Sequence, residues 1–159
     1  MTKPTVDGET NSASQSAETP EEEARRLIVE LRLLEGTAEA LQSRINFLNA
    51  AFNELTLASK TLEGIEKENV NASIFVPIGG GSYIKASLSE TDRVVYGIGA
   101  GVAIEKSISE AKDGIANRLS QIERTRQALE QQLTQVFHRI QEDQNRIQEL
   151  SRALRTRER

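Results

Sequence analysis

The sequence has no cysteine, no tryptophan and a single histidine among its 159 residues, and aromatic residues amount to 4%. Without cysteine the chain can form neither a disulfide framework nor a thiolate metal site, and one histidine leaves few means of binding a transition metal. So few bulky side chains are unusual for a compact globular core of this length. These absences argue against a disulfide-stapled fold and a metal site, and we expect no cofactor.

Long apolar runs and strong charge of one sign are also missing. No stretch approaches the roughly 18 apolar residues that cross a bilayer, and about twenty polar residues precede the first apolar cluster, which does not fit a signal peptide. The net charge of −4 provides no basic field that would draw the chain to nucleic acid. The sequence therefore predicts a soluble cytoplasmic protein with no membrane and no nucleic acid as partner.

The composition that is present suits long exposed helices, because Leu, Ile, Glu, Gln, Arg and Ala dominate outside the middle of the chain. Residues 1–18 are rich in Ser and Thr and nearly devoid of large apolar residues, so they cannot bury enough surface to offset the entropy of ordering. We expect residues 1–18 to be a disordered polar tail. Residues 19–159 are expected to form a single domain.

The first predicted helix covers residues 19–68. Thr19, Pro20 and Glu22 have the pattern of a capping box with proline at the first helical position. Apolar residues then recur at alternating spacings of four and three, which is a coiled-coil register. This seam consists of Leu27, Leu31, Leu34, Ala38, Leu41, Ile45, Leu48, Phe52, Leu55, Ser59 and Leu62.

A second helix is predicted for residues 107–155, where Ser107 and Glu110 repeat the capping pattern. Its seam has the same alternation and is interrupted by Arg126 and Asp143, polar residues that cost stability but can fix the register. The other seam positions are Ile108, Ile115, Leu119, Ile122, Leu129, Leu133, Val136, Ile140, Ile147, Leu150 and Leu154.

Between the helices, residues 72–106 alternate in the manner of β-strands and contain two glycine-rich turns, 79–81 and 99–101. Glycine supplies the positive φ that a tight turn needs. The turns divide this segment, which we call the head, into two β-hairpins. The predicted fold class is therefore mainly α with a small β head: a long antiparallel coiled-coil hairpin with two β-hairpins between its helices.

Because the head joins the end of one helix to the start of the other, both chain ends are expected at the far tip of the coiled coil. Apolar residues continue to this tip, and Ile28 and Leu33 fall off the seam, which leaves them at least partly exposed. Clustered exposed apolar groups indicate a binding surface. The candidate tip residues are Leu27, Ile28, Leu31, Leu34, Ile147, Leu150 and Leu154.

The head is too small to be stable by itself, because two hairpins without a covering layer are marginal in water and leave strand edges unpaired. Pairing with strands of other subunits would remove both problems, either by closing a barrel or by extending a sheet. The sequence thus predicts an oligomer that assembles through the head. The candidate assembly residues are Ile74, Val76, Ile78, Tyr83, Ile84, Val94, Tyr96, Val102 and Ile104.

The order of long helix, two hairpins and long helix resembles the α class of prefoldin subunits, whereas the β class has a single hairpin. The resemblance covers residues 20–155; IFVPIGGG at residues 74–81 resembles the first hairpin, and the more specific part is GAGVAIEK at residues 99–106, which resembles the second hairpin and its entry into the helix. It implies a hetero-hexamer of two α and four β prefoldin subunits, with the strands in a double barrel and the coiled coils around a cavity. It further implies an archaeal-type, ATP-independent holdase that captures unfolded polypeptides at the tips and passes them to a group II chaperonin.

Other interpretations have less support. A structural coiled-coil adaptor would oligomerise through the head and bind specific folded partners instead of unfolded ones. Gly97 and Gly99 match the first two glycines of the dinucleotide fingerprint Gly-x-Gly-x-x-Gly, but position 102 is Val and a β pattern follows instead of a helix. We therefore expect Gly97, Gly99 and Gly101 to be turn glycines. His138 lies on a helical surface, where a solvated residue is favoured over a catalytic base. No constellation of residues supports an enzyme.

Overall fold

The computed structural model describes residues 18–157 and contains two long α-helices with four β-strands between them. The elements in chain order are α1 Pro20–Ile65, β1 Ser73–Gly79, β2 Ser82–Ser87, β3 Arg93–Gly99, β4 Val102–Ser107 and α2 Ile108–Arg157. The predicted class of two long helices joined by two β-hairpins is confirmed. The predicted disordered tail lies outside the described residues except for Glu18, and the pairing of strands between subunits stays a prediction.

Both helices begin at the predicted capping boxes. The Thr19 backbone N–H donates to Glu22 Oε2 at 2.9 Å, and the Glu22 N–H donates to Thr19 Oγ1 at 3.3 Å. Ser107 and Glu110 repeat this exchange at 3.0 and 3.2 Å. Because these hydrogen bonds favour the ionised carboxylates, they lower the pKa of Glu22 and of Glu110.

The four strands form two separate antiparallel pairs, β1 with β2 and β3 with β4. Gly79 and Gly99, which end β1 and β3, have positive φ. The two central residues of each tight turn also have positive φ, Gly80 and Gly81 in the first and Ala100 and Gly101 in the second. This is the backbone pattern of a type I′ turn, whose twist matches that of the flanking strands. Glycine permits it at three of these positions, whereas Ala100 adopts φ 49° with a side chain.

The described residues divide into two compact units. We call residues 36–137 the central unit, and residues 18–35 with 138–157 the terminal unit. In each unit a segment of α1 packs beside an antiparallel segment of α2, as the cross-helix contacts Lys112–Glu66 and Arg146–Glu23 show. Within residues 18–157, neither helix has an apolar stretch long enough to cross a membrane.

The central unit is held by apolar packing. One cluster of buried side chains contains Leu62, Ile108, Ala111 and Ile115, and lies where the helices meet the strands. A second contains Leu41, Ile45 and Leu129. These residues lie on or beside the predicted seams, so the heptad pattern accounts for the central unit.

Candidate functional site

The terminal unit exposes three apolar side chains on α1. Ile28 is 41% exposed, Val29 is 58% exposed and Leu33 is 69% exposed. Val29 and Leu33 are four residues apart and therefore neighbours on the helix surface. We call these three residues the apolar patch. The prediction that Ile28 and Leu33 leave the seam is confirmed, whereas Val29 was not among the candidates.

The other candidate tip residues are less accessible. Leu27 and Leu150 are buried, with 4% and 5% of their surface exposed, because they pack in the seam. The remaining four are half-buried: Leu31, Leu34, Ile147 and Leu154. The terminal unit as described therefore presents the apolar patch to solvent, and the client-binding role of the candidate tip residues stays a prediction.

Ion pairs join the two helices within the terminal unit. Arg146 donates to both carboxylate oxygens of Glu23, at 2.8 and 3.0 Å, and this pairing lowers the pKa of Glu23. Arg139 donates from Nε and Nη2 to Glu30 Oε1, at 3.1 and 3.0 Å. Both arginines are about half exposed, with 49% and 47% of the side-chain surface accessible. These pairs are therefore in contact with water and weakened by it.

Asp143, one of the two charged seam residues, is buried in the terminal unit at 2% exposure. Its Oδ1 lies 3.2 Å from Arg139 Nε, and its Oδ2 has no hydrogen-bond partner among residues 18–157. Burial, followed by the repulsion of Glu30, raises the pKa of Asp143. An ionised carboxylate at this position therefore opposes packing of the seam.

In the head, the β1–β2 hairpin has exposed apolar side chains on both faces. Phe75 and Tyr83 are 71% and 62% exposed on one face, and Ile84 is 54% exposed on the other. Val76 and Ile78 are also exposed, and Ile74 is half-buried. An apolar hairpin that is open on both faces fits a surface that pairs with another chain.

The β3–β4 hairpin instead packs on the helices of its own chain. Val94 and Tyr96 contact the cluster around Leu62 and Ile115, and Arg118 lies over the Tyr96 ring at 4.8 Å from the centroid. Arg118 Nη2 also donates to the Gly97 carbonyl at 2.7 Å. Val94 and Tyr96, both candidate assembly residues, thus serve the fold of the chain itself, and their role in assembly stays a prediction.

The outer part of this hairpin is more open, with Val102 at 51% and Ile104 at 40% exposure. Beside it, α1 and β3 line an apolar groove of about 560 Å³, where Leu57 and Val95 are exposed. Gly101 lies in the turn as expected, whereas Gly97 and Gly99, also expected to be turn glycines, lie in β3, where Gly99 is the last residue and has positive φ. The His138 side chain is 75% exposed and lies 3.5 Å from Glu142 on the same helix.

Comparisons with known proteins agree with this architecture. Residues 34–153 match the family model described as prefoldin subunit. Prefoldin subunit alpha of Methanopyrus kandleri is 34% identical over 71% of this chain and 72% of its own length. Prefoldin subunit alpha of Pyrococcus horikoshii is 30% identical over 80% of this chain and 87% of its own.

The fold also matches a solved structure. The cryo-EM structure of filamentous PFD from Methanocaldococcus jannaschii superposes with a TM-score of 0.62 at 22% identity, over 70% of this chain and 92% of that chain. The helices, hairpins and turns described above are thus found in a known fold. Together with the family match over most of the chain, this similarity shows that the chain belongs to the prefoldin family, as a subunit of the alpha class.

Proposed function

We propose that this chain is a subunit of an ATP-independent holdase, which captures unfolded polypeptides on the apolar side chains of the terminal unit. The observation that carries the proposal is the apolar patch of Ile28, Val29 and Leu33 on an otherwise polar helix surface. Unfolded chains display scattered apolar side chains, so such a patch can bind many of them weakly. Several subunits in one complex would add these weak contacts together, so capture and release need no nucleotide.

The proposal includes assembly through the head. Family membership and the apolar faces of the β1–β2 hairpin support pairing with prefoldin beta subunits, in a hexamer of two α and four β chains. The strands would close into a barrel across subunits, which would cover the apolar faces and satisfy the edges. The complex would act in the cytoplasm and pass its clients to a group II chaperonin.

The holdase is tested by replacing Ile28, Val29 and Leu33 together with serine in the assembled complex. We expect about tenfold more complex to be needed for half-suppression of the aggregation of denatured citrate synthase, because the weak contacts of several patches are lost together. Light scattering of the aggregating enzyme is the measurement.

A matched control is Phe47→Ser, which removes an apolar side chain of 75% exposure from α1 in the central unit. This control should suppress aggregation as the unmodified complex does. Equal activity of the triple variant would show that clients do not bind at the patch. A complex that assembles but protects no unrelated protein would favour the adaptor.

A further inference from the structure

The terminal unit is held together differently from the central unit. Its described residues bury only two apolar side chains below one-tenth exposure, Leu27 and Leu150. Within the described residues, the ion pairs that join its two helices are Arg146–Glu23 and Arg139–Glu30. Because such partly exposed pairs contribute little to stability, the closed state of this unit depends mainly on Leu27, Leu150 and the half-buried seam residues around them.

Asp143 weakens the closed state further. This carboxylate takes a seam position where the heptad pattern calls for an apolar side chain, and its Oδ2 is buried with no hydrogen-bond partner in the described part of the chain. The charged groups around it are Glu30 and Arg26 of α1 and Arg139 and Glu142 of α2. Arg139 is shared among Glu30, Asp143 and Glu142, so its single charge compensates three carboxylates at once.

We propose that Asp143 and the two cross-helix ion pairs, which we call the clasp, hold the terminal unit closed only weakly. The helix segments of this unit can therefore separate, which exposes Leu27 and Leu150 to a client. The inference rests on the proposed function, since it adds a regulated step to the same client surface. Local opening of the least stable part of a protein is a general route to a transiently exposed binding surface. The clasp sets how often this apolar surface is available.

The opening can be measured with thiol chemistry because the chain has no cysteine of its own. Leu150→Cys in the assembled complex places a reporter at a site that is 5% exposed, and Ile45→Cys places a reference at an equally buried site in the central unit. We expect a maleimide to modify the Leu150→Cys reporter at least about tenfold faster than the reference.

Asp143→Leu then tests the clasp, because the apolar residue typical of a seam position, in place of a buried charge, stabilises the closed seam. We expect this change to slow modification of the Leu150→Cys reporter at least about tenfold. Arg126→Leu is the matched control, since Arg126 is the charged seam residue of the central unit, with 28% of its side chain exposed. It should leave the reporter rate unchanged.

The second readout is the suppression of citrate synthase aggregation by a complex that carries Asp143→Leu and keeps Leu150. We expect weaker suppression with an unchanged helix signal in circular dichroism, and normal suppression by Arg126→Leu. An unchanged reporter rate, or a slower rate with full suppression, would overturn the clasp while the holdase stands. Failure of the unmodified complex to suppress aggregation would instead remove the proposed function, and the reporter rates would still decide whether the unit opens.

Discussion

Gly114 lies where the ring of Tyr96 packs on helix α2. A Cβ at this position would be 2.7 Å from the Tyr96 Oη and 3.0 Å from its Cζ, which is closer than the ring can tolerate without moving. The same ring lies under the guanidinium of Arg118. The missing side chain at Gly114 therefore determines how closely β3 can pack on the helix.

We predict that Gly114→Ala destabilises the head by about 1–3 kcal/mol, because the displaced tyrosine loses packing, an effect only partly offset by the higher helix propensity of alanine. Thermal unfolding and tyrosine fluorescence would report it, since the chain has two tyrosines and no tryptophan. Gly36→Ala is the control, because a Cβ there meets nothing within 4 Å. It should stabilise the chain by about 0.5–1 kcal/mol; equal gains from both changes would contradict the packing argument.

At the scale of elements, the two helices start at defined points because their first turns are capped by side chains. The capping box of Ser107 and Glu110 lies at the junction of β4 and α2, since Ser107 is the last residue of the strand and Ile108 is the first residue of the helix. The Ile108 N–H in addition donates to the Asp92 carbonyl at 2.9 Å. The hairpin and the helix thus share one junction.

We predict that Ser107→Ala lowers the Tm at pH 7 by about 2–4 °C, because the cap loses its hydroxyl partner. The pKa of Glu110 is lowered in the folded chain, so the stability that the ionised carboxylate adds to the fold is fully present above its ordinary pKa of about 4.5. This stability is lost as the pH falls through the lowered pKa. The difference between variant and parent should therefore shrink in acid. Ser109→Ala, two residues further on, should cause no loss, and an equal loss there would contradict the capping argument.

At the scale of the whole molecule, the head has two unlike hairpins. The β3–β4 hairpin is anchored to its own helices through Val94 and Tyr96, whereas the β1–β2 hairpin exposes Phe75, Tyr83 and Ile84. The anchored hairpin stabilises the chain, and the open hairpin is the stronger candidate for contact with other subunits.

We predict that Ile84→Asp prevents assembly, because a carboxylate would be buried in the subunit interface. The expected result is a smaller mass by light scattering after size-exclusion chromatography, with the helix content unchanged since Ile84 is exposed within the chain. Phe47→Asp, an equally severe change at an exposed helical position, should leave the mass unaltered. Full assembly of the Ile84→Asp variant would contradict the role of this hairpin.

The sequence predicts the elements well because their signals are local. Capping pairs, glycine turns and heptad spacing act within a few residues, and all three recur in the structure. The close approach of Tyr96 to Gly114 joins a strand to a helix that is remote from it in sequence, so no local pattern indicates it. The burial of Leu27 and Leu150 depends likewise on the register of two helices, which neither helix encodes alone.

The terminal unit combines the first and the last helical segments of the chain, with roughly 100 residues of the central unit between them. At translation rates of about 5–20 residues per second, the ribosome needs roughly 5–20 s to make that intervening stretch. The leucines near the start of α1 therefore leave the exit tunnel before the segment that covers them has been synthesised. A nascent chain of this subunit would itself pass through a state of the kind that chaperones recognise.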